Sequence, residues 1–302
     1  MSDPARGVLA IVAACVIWGL SSIYYKLLSH VPAPEVLAHR TLWSLVFFGF
    51  VLSVQGRLGQ VWGLVRSHRV GWVVLAALAI SFNWFLFISA VQTGKAMQAS
   101  LGYYIFPLVA VVFGVLFRGE RLTPVQWLAV GLAALAVLGL TLGLGVVPVI
   151  SLALALSFGA YGLLKGRVEA GPVLSVTGEV LLLTPLALIW LWAGPAETFG
   201  QDWRDSLLLV CSGPLTATPL ILFSYAARRI SYASVGLIQY INPTLQFLVA
   251  TFVFGEIFTQ WHGLAFGGIW TALALYSVSA LRQERALRRA ASSASTVGIT
   301  RM

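Results

Sequence analysis

Ten stretches of this chain are each long and apolar enough to cross a lipid bilayer, and nothing else about the sequence limits its fold so tightly. They run about 7–28, 34–54, 70–91, 97–117, 124–142, 148–165, 172–193, 206–227, 234–254 and 260–281. A membrane-spanning helix needs about 20 mainly apolar residues. No water reaches the bilayer core, so each run must satisfy its own backbone as a helix or share in a closed barrel. The runs are continuous and about twice as long as a barrel strand, which excludes the barrel. Charged residues make up 10% of the chain, against about 25% in a soluble domain, so a water-facing exterior cannot be assembled. These facts exclude a soluble enzyme, a nucleic-acid-binding domain and a disordered chain. They predict an all-α membrane protein, a single bundle of ten transmembrane helices. No secretory signal peptide is expected, because the first run is too long and lacks a small-residue cleavage site after it.

The net charge of +9 reads as topology rather than as affinity for nucleic acid. With the N-terminus placed inside, fifteen Lys and Arg fall on the inner side: Arg6; Arg57, Arg66 and Arg69; Arg118 and Arg121; Lys165 and Arg167; Arg228 and Arg229; and Arg282, Arg285, Arg288, Arg289 and Arg301. The outer loops hold Lys95 and Arg204. That asymmetry predicts both termini in the cytoplasm and the cell membrane as the location. The tail after Leu281, basic and then rich in Ser and Ala, is expected to be mobile. Cys15 and Cys211 lie within apolar runs and read as small core residues.

The chain also repeats. Shifted by 136 residues, 99–131 lies over 235–267 with ten identities in 33 positions, among them Tyr104/Tyr240, Pro107/Pro243, Gly119/Gly255, Glu120/Glu256 and Thr123/Thr259. The matching spans are five apart, an odd number, so the two copies enter the membrane from opposite sides. Such inverted repeats characterise secondary transporters, whose substrate sites lie near mid-membrane between the halves. The expected domains are a five-helix repeat at 1–145, a second at 146–281, and a tail at 282–302. The first to fourth and sixth to ninth spans should surround the cavity, with the fifth and tenth peripheral. Gly139/Gly143 and Gly263/Gly267 on those two spans suit close helix packing, between halves or in a dimer; monomer and homodimer both remain open.

Pro107 and Pro243 sit mid-span at equivalent positions, each removing a backbone hydrogen bond, and paired interrupted helices point to a transport site. Around them lie Tyr103, Tyr104, Gln239, Tyr240 and Asn242; the third span adds Asn83 and Trp84, and the first adds Trp18. These residues are the expected cavity lining and gating kinks. Two charges join them. Arg40 lies six residues into the second span and Glu179 seven into the seventh, where a charge costs about 2.5–3.5 kcal/mol and usually carries function. At 1.5 Å per residue they sit about 9 and 10 Å from opposite membrane edges. A direct salt bridge, a pair gripping opposite ends of a zwitterion, a proton carrier at Glu179, or two structural charges all fit. Lys26 and Lys165 are expected to snorkel to the interfaces.

No phosphate-binding loop, metalloprotease motif or nucleophile elbow is present, so no cofactor or metal is expected and the reading is not an enzyme. A membrane-embedded enzyme or channel-like facilitator stands as the alternative. Glu197, Asp202 and Asp205 read as an ordinary solvated loop.

The two five-helix halves, Ile17–Gly19 (IWG), and GYYIFPL followed by GERL resemble the EamA-type drug/metabolite transporters. VPAPEVLAHRTLWS (Val31 to Ser44), NWFLFISAV from Asn83, ASLGYYIFPL from Ala99 and LIQYINPTLQF from Leu237 resemble the RarD subgroup. The resemblance covers all but the tail. Helix nine keeps Asn242 before its proline, whereas helix four has Phe106 there. The resemblance implies a permease or exporter of small metabolites, amino acids or drugs, with the small-molecule substrate and the bilayer as its partners.

Overall fold

A computed structural model describes residues 3–119, 121–194, 198–230 and 232–299; Glu120, Glu197 and Arg301 lie outside that set. The helices are α1 (Asp3–Leu27), α2 (Ala33–Val54), α3 (Leu58–Val65), α4 (Val70–Gln92), α5 (Ala96–Arg118), α6 (Pro124–Leu144), α7 (Val149–Lys165), α8 (Pro172–Ala193), α9 (Trp203–Ala227), α10 (Tyr232–Ile238), α11 (Ile241–Leu248) and α12 (Gln260–Ile299), with a π-turn at Val249–Val253. Seven of them, α1, α2, α4, α5, α6, α8 and α9, are long and apolar enough to cross a membrane among the described residues; α7, also apolar, has 17 residues.

Three features depart from the sequence reading. The short helix α3 fills the connection between the second and third spans. The ninth span is not one helix: it breaks between α10 and α11 and ends in the π-turn. The last helix does not stop at 281 either: α12 continues through the tail to Ile299, and the run of Leu, Arg, Glu, Gln and Ala there is made of strong helix formers.

Local chemistry sets the helix ends. Thr123 accepts from the Gln126 backbone N–H while the Gln126 side chain accepts from the Thr123 N–H, a reciprocal cap with Pro124 beside it. Asp202 caps α9 through the N–H groups of Arg204 (2.7 Å) and Asp205 (3.1 Å). The cap on α5 comes from far along the chain. Glu256 accepts from the backbone N–H of Ala96 (2.7 Å) and Met97 (2.8 Å), placing a carboxylate on the positive end of the helix. The repeated glycines before these motifs, Gly119 and Gly255, have φ of 67° and 65°, values that side chains disfavour.

Packing resolves two compact units. One takes the chain up to Phe113 together with Pro148–Phe258; the other takes Gly114–Val147 with the chain from Thr259. In the first, small and hydroxyl residues line the helix contacts: Ser22, Ser44, Ser100, Ser151, Ser175 and Ser212 are wholly buried. Such residues let helix backbones come close, and Gly213 of α9 faces the Trp43 backbone of α2 directly. The exterior is apolar, with Trp192 of α8 90% exposed, as a lipid-facing surface requires. In the second unit α6 packs along α12. Gly143 faces the Trp261 ring and Gly268 faces Ala136. Of the expected glycine pairs Gly143 is therefore used, while Gly139 and Gly267 meet nothing among the described residues. Leu142 is 73% exposed.

Candidate functional site

Arg40 follows from the entry to α2, where Pro32 and Pro34 start the helix and Glu35 holds the connection before α9 by accepting from the Thr198 N–H (3.1 Å) and hydroxyl (3.2 Å). Next to this tether, Phe199 stacks on His39 (4.7 Å), and His30 pairs with Asp205 (2.7 Å). The loop read as merely solvated is thus bonded to the end of α2 at several points.

One turn further in, Arg40 is 6% exposed. Its guanidinium lies over the rings of Trp84 (4.1 Å) and Tyr25 (5.7 Å), contacts that stabilise by about 2 kcal/mol when desolvated. From there a row of rings crosses the unit. Tyr25 meets Phe87 at 5.8 Å, Phe87 meets Tyr103 at 5.7 Å, Tyr103 meets Phe158 at 5.9 Å, and Phe158 meets Tyr161 at 5.9 Å. Asn83 fixes the middle of the row. Tyr103 donates to its Oδ1 (3.0 Å), and its Nδ2 donates to the Leu154 carbonyl (3.0 Å) and the Ser157 hydroxyl (2.9 Å).

The row ends at Glu179, which is fully buried. Tyr161 (3.1 Å) and Ser175 (2.9 Å) donate to it, and Lys165 forms an ion pair with it. This decides one open reading and corrects one expectation. No ion pair joins Arg40 to Glu179 among the described residues, because Glu179 already has a cation on α7. And Lys165 does not snorkel outward; it turns in to that carboxylate. Lys26 instead lies over the Phe254 ring at 5.7 Å.

The other expected residues form a second cluster, on the α5–α11 side. Tyr104 shares a hydrogen bond with Thr244 (2.6 Å) and stacks on Tyr240 at 6.5 Å. Ser100 donates to the Pro243 carbonyl (2.8 Å), and Gln246 donates to Asn242 (3.0 Å). Pro243 cannot donate to the Gln239 carbonyl one turn back; that carbonyl accepts from Asn242 N–H instead, at 3.1 Å. Gln239 and Tyr240 sit half-buried at the resulting break, whereas Pro107 lies inside the unbroken α5. Trp18, half-buried on α1, leans on Phe223 of α9 at 6.3 Å. The structure therefore brings Arg40, Asn83, Trp84 and Tyr103 together, sets Glu179 at the far end of the same row, and gathers Tyr104, Tyr240, Asn242 and Pro243 with Ser100, Thr244 and Gln246.

Sequence reasoning missed Tyr25, Phe87, Phe158 and Tyr161. Phe87 follows Asn83 by one helical turn, and Phe158 precedes Tyr161 by three residues, so both pairs share a helix face; that spacing was the available signal. No group of three or more His, Cys, Asp or Glu suited to a metal occurs among the described residues.

The model of the EamA-like transporter family matches residues 5–142. An uncharacterized transporter of Vibrio cholerae is 41% identical over 95% of this chain and 97% of its own length. Protein RarD of Salmonella typhimurium is 39% identical over 93% and 97%. This chain belongs to the EamA-like transporter family, in its RarD-type branch. It is accordingly a membrane transporter-type protein, multi-pass in the inner membrane. A crystal structure that shares 20% identity superposes with a TM-score of 0.62, covering 91% of this EamA-family chain and 98% of the other, and the two share a fold.

Proposed function

We propose that this EamA-family protein is a secondary transporter that carries a small metabolite, amino acid or drug by alternating access through a cavity at mid-depth. The observation that carries the reading is the buried row from Arg40 through Asn83 and Tyr103 to Glu179. Charged and hydrogen-bonding side chains at such depth are costly, and they are set here among aromatic faces that suit amphipathic solutes.

The proposed frame is ten spans in two inverted five-helix repeats, 1–145 and 146–281, with the segment 282–302 and both termini in the cytoplasm. The fifteen inner and two outer basic residues support the orientation. Three contacts support the repeat. Tyr104 and Tyr240, equivalent under the 136-residue shift, stack on each other at an interplanar angle of 13°, as residues beside a two-fold axis would. Gly19 of α1 faces Leu245 of α11, and Gly159 of α7 faces Val109 of α5. Leu245 and Val109 are partners under the same shift, and each glycine closes an IWG- or SFG-type triplet. Trp18, Tyr240, Gln239 and Asn242 line the approach in this scheme, with Pro107 and Pro243 as the points about which helices four and nine flex.

The test is a substrate screen on purified protein in liposomes, with and without a pH gradient. Saturable, substrate-dependent flux supports the reading; product formed without net movement, or current far above a conformational cycle's rate, refutes it. Glu179→Gln examines proton coupling in the same vesicles: the proposed carrier role requires the variant to lose the effect of the gradient, and unchanged flux at every pH removes that role.

A further inference from the structure

The two buried charges of the row are in unlike states. Glu179 is neutralised inside the protein by Lys165, with Tyr161 and Ser175 completing its hydrogen bonds. Arg40 makes no ion pair and no hydrogen bond among the described residues, and its Nε is buried without an acceptor. Trp84 and Tyr25 offer it ring faces rather than oxygen. Glu35, the acid on its own helix, is occupied by Thr198.

The unmet donors extend beyond Arg40. Six buried side-chain polar atoms lack a partner among the described residues, and four of them fall on α2: His39 Nδ1, Arg40 Nε, Trp43 Nε1 and Ser44 Oγ. Positions 40 and 44 share one stripe of the helix; His39 and Trp43 share the next, where Phe199 covers them. Arginine is permanently charged and only donates, and a serine hydroxyl beside it can donate as well. A buried cation with spare donors and no acceptor is matched by an anionic oxygen group, which guanidinium binds through charge-assisted, often bidentate bonds.

We propose that Arg40, with Ser44, anchors the carboxylate or other anionic oxygen group of a small organic anion whose apolar body lies against Trp84 and Tyr25. The proposal rests on the transport reading above and narrows its substrate class. Because Lys165 cancels Glu179, the row carries one net positive charge. A zwitterion's ammonium would find no free carboxylate there, so anions are favoured over zwitterions and cations.

The experiment measures ligand-dependent shifts of the thermal unfolding midpoint in nanodiscs of neutral phosphatidylcholine, using benzoate, succinate, benzamide and benzylamine as probes. A carboxylate should stabilise the wild type saturably, and benzamide and benzylamine should not. Arg40→Gln should weaken the carboxylate at least about 30-fold, the effect of removing one partner of a buried charged pair. Arg40→Lys should keep weaker binding, which separates loss of the site from loss of the fold, and Ser44→Ala should cost about fivefold. The proposal is overturned if benzamide or benzylamine stabilises as well as the carboxylates, if neither carboxylate acts up to its solubility limit, if binding survives Arg40→Gln, or if only anionic phosphatidylglycerol in the disc produces the Arg40-dependent shift. Flux in liposomes separates the two levels. Transport of a cationic or neutral solute alone would sink the anion site and leave the transporter standing. Arg40-dependent benzoate binding with no flux of any solute would do the reverse.

Discussion

Removing one member of the Lys165–Glu179 pair should destabilise the protein, and the two single variants should differ by an amount that the burial sets. Glu179 is 0% exposed, whereas the Lys165 side chain retains 21% exposure. Lys165→Met leaves a carboxylate that cannot reach water, held by Tyr161 and Ser175 alone. The expected loss is about 3–5 kcal/mol, the cost of stranding one partner of a buried pair. Glu179→Gln preserves the shape and much of the hydrogen bonding and strands an ammonium that can swing toward water on its flexible stem. The expected loss there is smaller, about 2–3 kcal/mol. The double variant Lys165→Met/Glu179→Gln removes both charges, and should lie within about 1–2 kcal/mol of wild type rather than at the sum of the singles. Unfolding midpoints in dodecylmaltoside micelles titrated with sodium dodecyl sulfate, followed by tryptophan fluorescence, give all three values under one condition. The reasoning fails if the singles add in the double, or if Glu179→Gln proves costlier than Lys165→Met.

The α5 cap should be measurable from the far end of the fold: Glu256→Ala should lose about 1–2 kcal/mol, and hydrogen exchange should quicken at Ala96 and Met97 before it does elsewhere in α5. Gly213→Ala places a methyl group against the Trp43 backbone and should cost about 1–3 kcal/mol, while Gly49→Ala, in open space, should be neutral or slightly stabilising in the same titration. Asn83→Leu strands the Tyr103 hydroxyl and should cost about 1–3 kcal/mol; flux should fall further than the stability loss explains, because Tyr103 is then free to leave the row.

Most of the helices were legible because each must satisfy its own backbone in lipid, which makes hydropathy and length nearly sufficient. The places where the reading slipped are those governed by longer-range or competing effects. The last helix runs past the apolar stretch because the tail's residues are good helix formers continuing an existing helix, which needs no new nucleation. The burial of Arg40 and Glu179 was visible from their depth, but their partners were not. Lys165 reads as a snorkelling residue by position, and only the fold reveals that Tyr161 and Lys165, one turn apart on α7, both reach Glu179 of α8. The aromatic row was half visible for a related reason: Trp84 and Tyr103 stand next to polar neighbours that draw attention, while Phe87 and Phe158 look like ordinary lipid-facing or core residues until Tyr25 and Asn83 are placed around them.

The two prolines show how equal positions in a repeat can do unequal work. Pro107 and Pro243 each deny a hydrogen bond to the carbonyl one turn earlier, yet α5 runs on and the ninth span breaks. The residues before them differ. Phe106 packs its ring on Phe158 at 4.6 Å, so the turn around Pro107 is held by side-chain packing. Asn242 has lower helix propensity and competes for hydrogen bonds; its own N–H takes the Gln239 carbonyl in a tighter turn, and its side chain is engaged by Gln246. The start of α5 is clamped by Glu256, which resists fraying from that end. In the alternating-access cycle proposed above, this break at Tyr240 to Pro243 is the expected starting point of motion, and α5 is tied to it through the Tyr104–Thr244 and Ser100–Pro243 bonds.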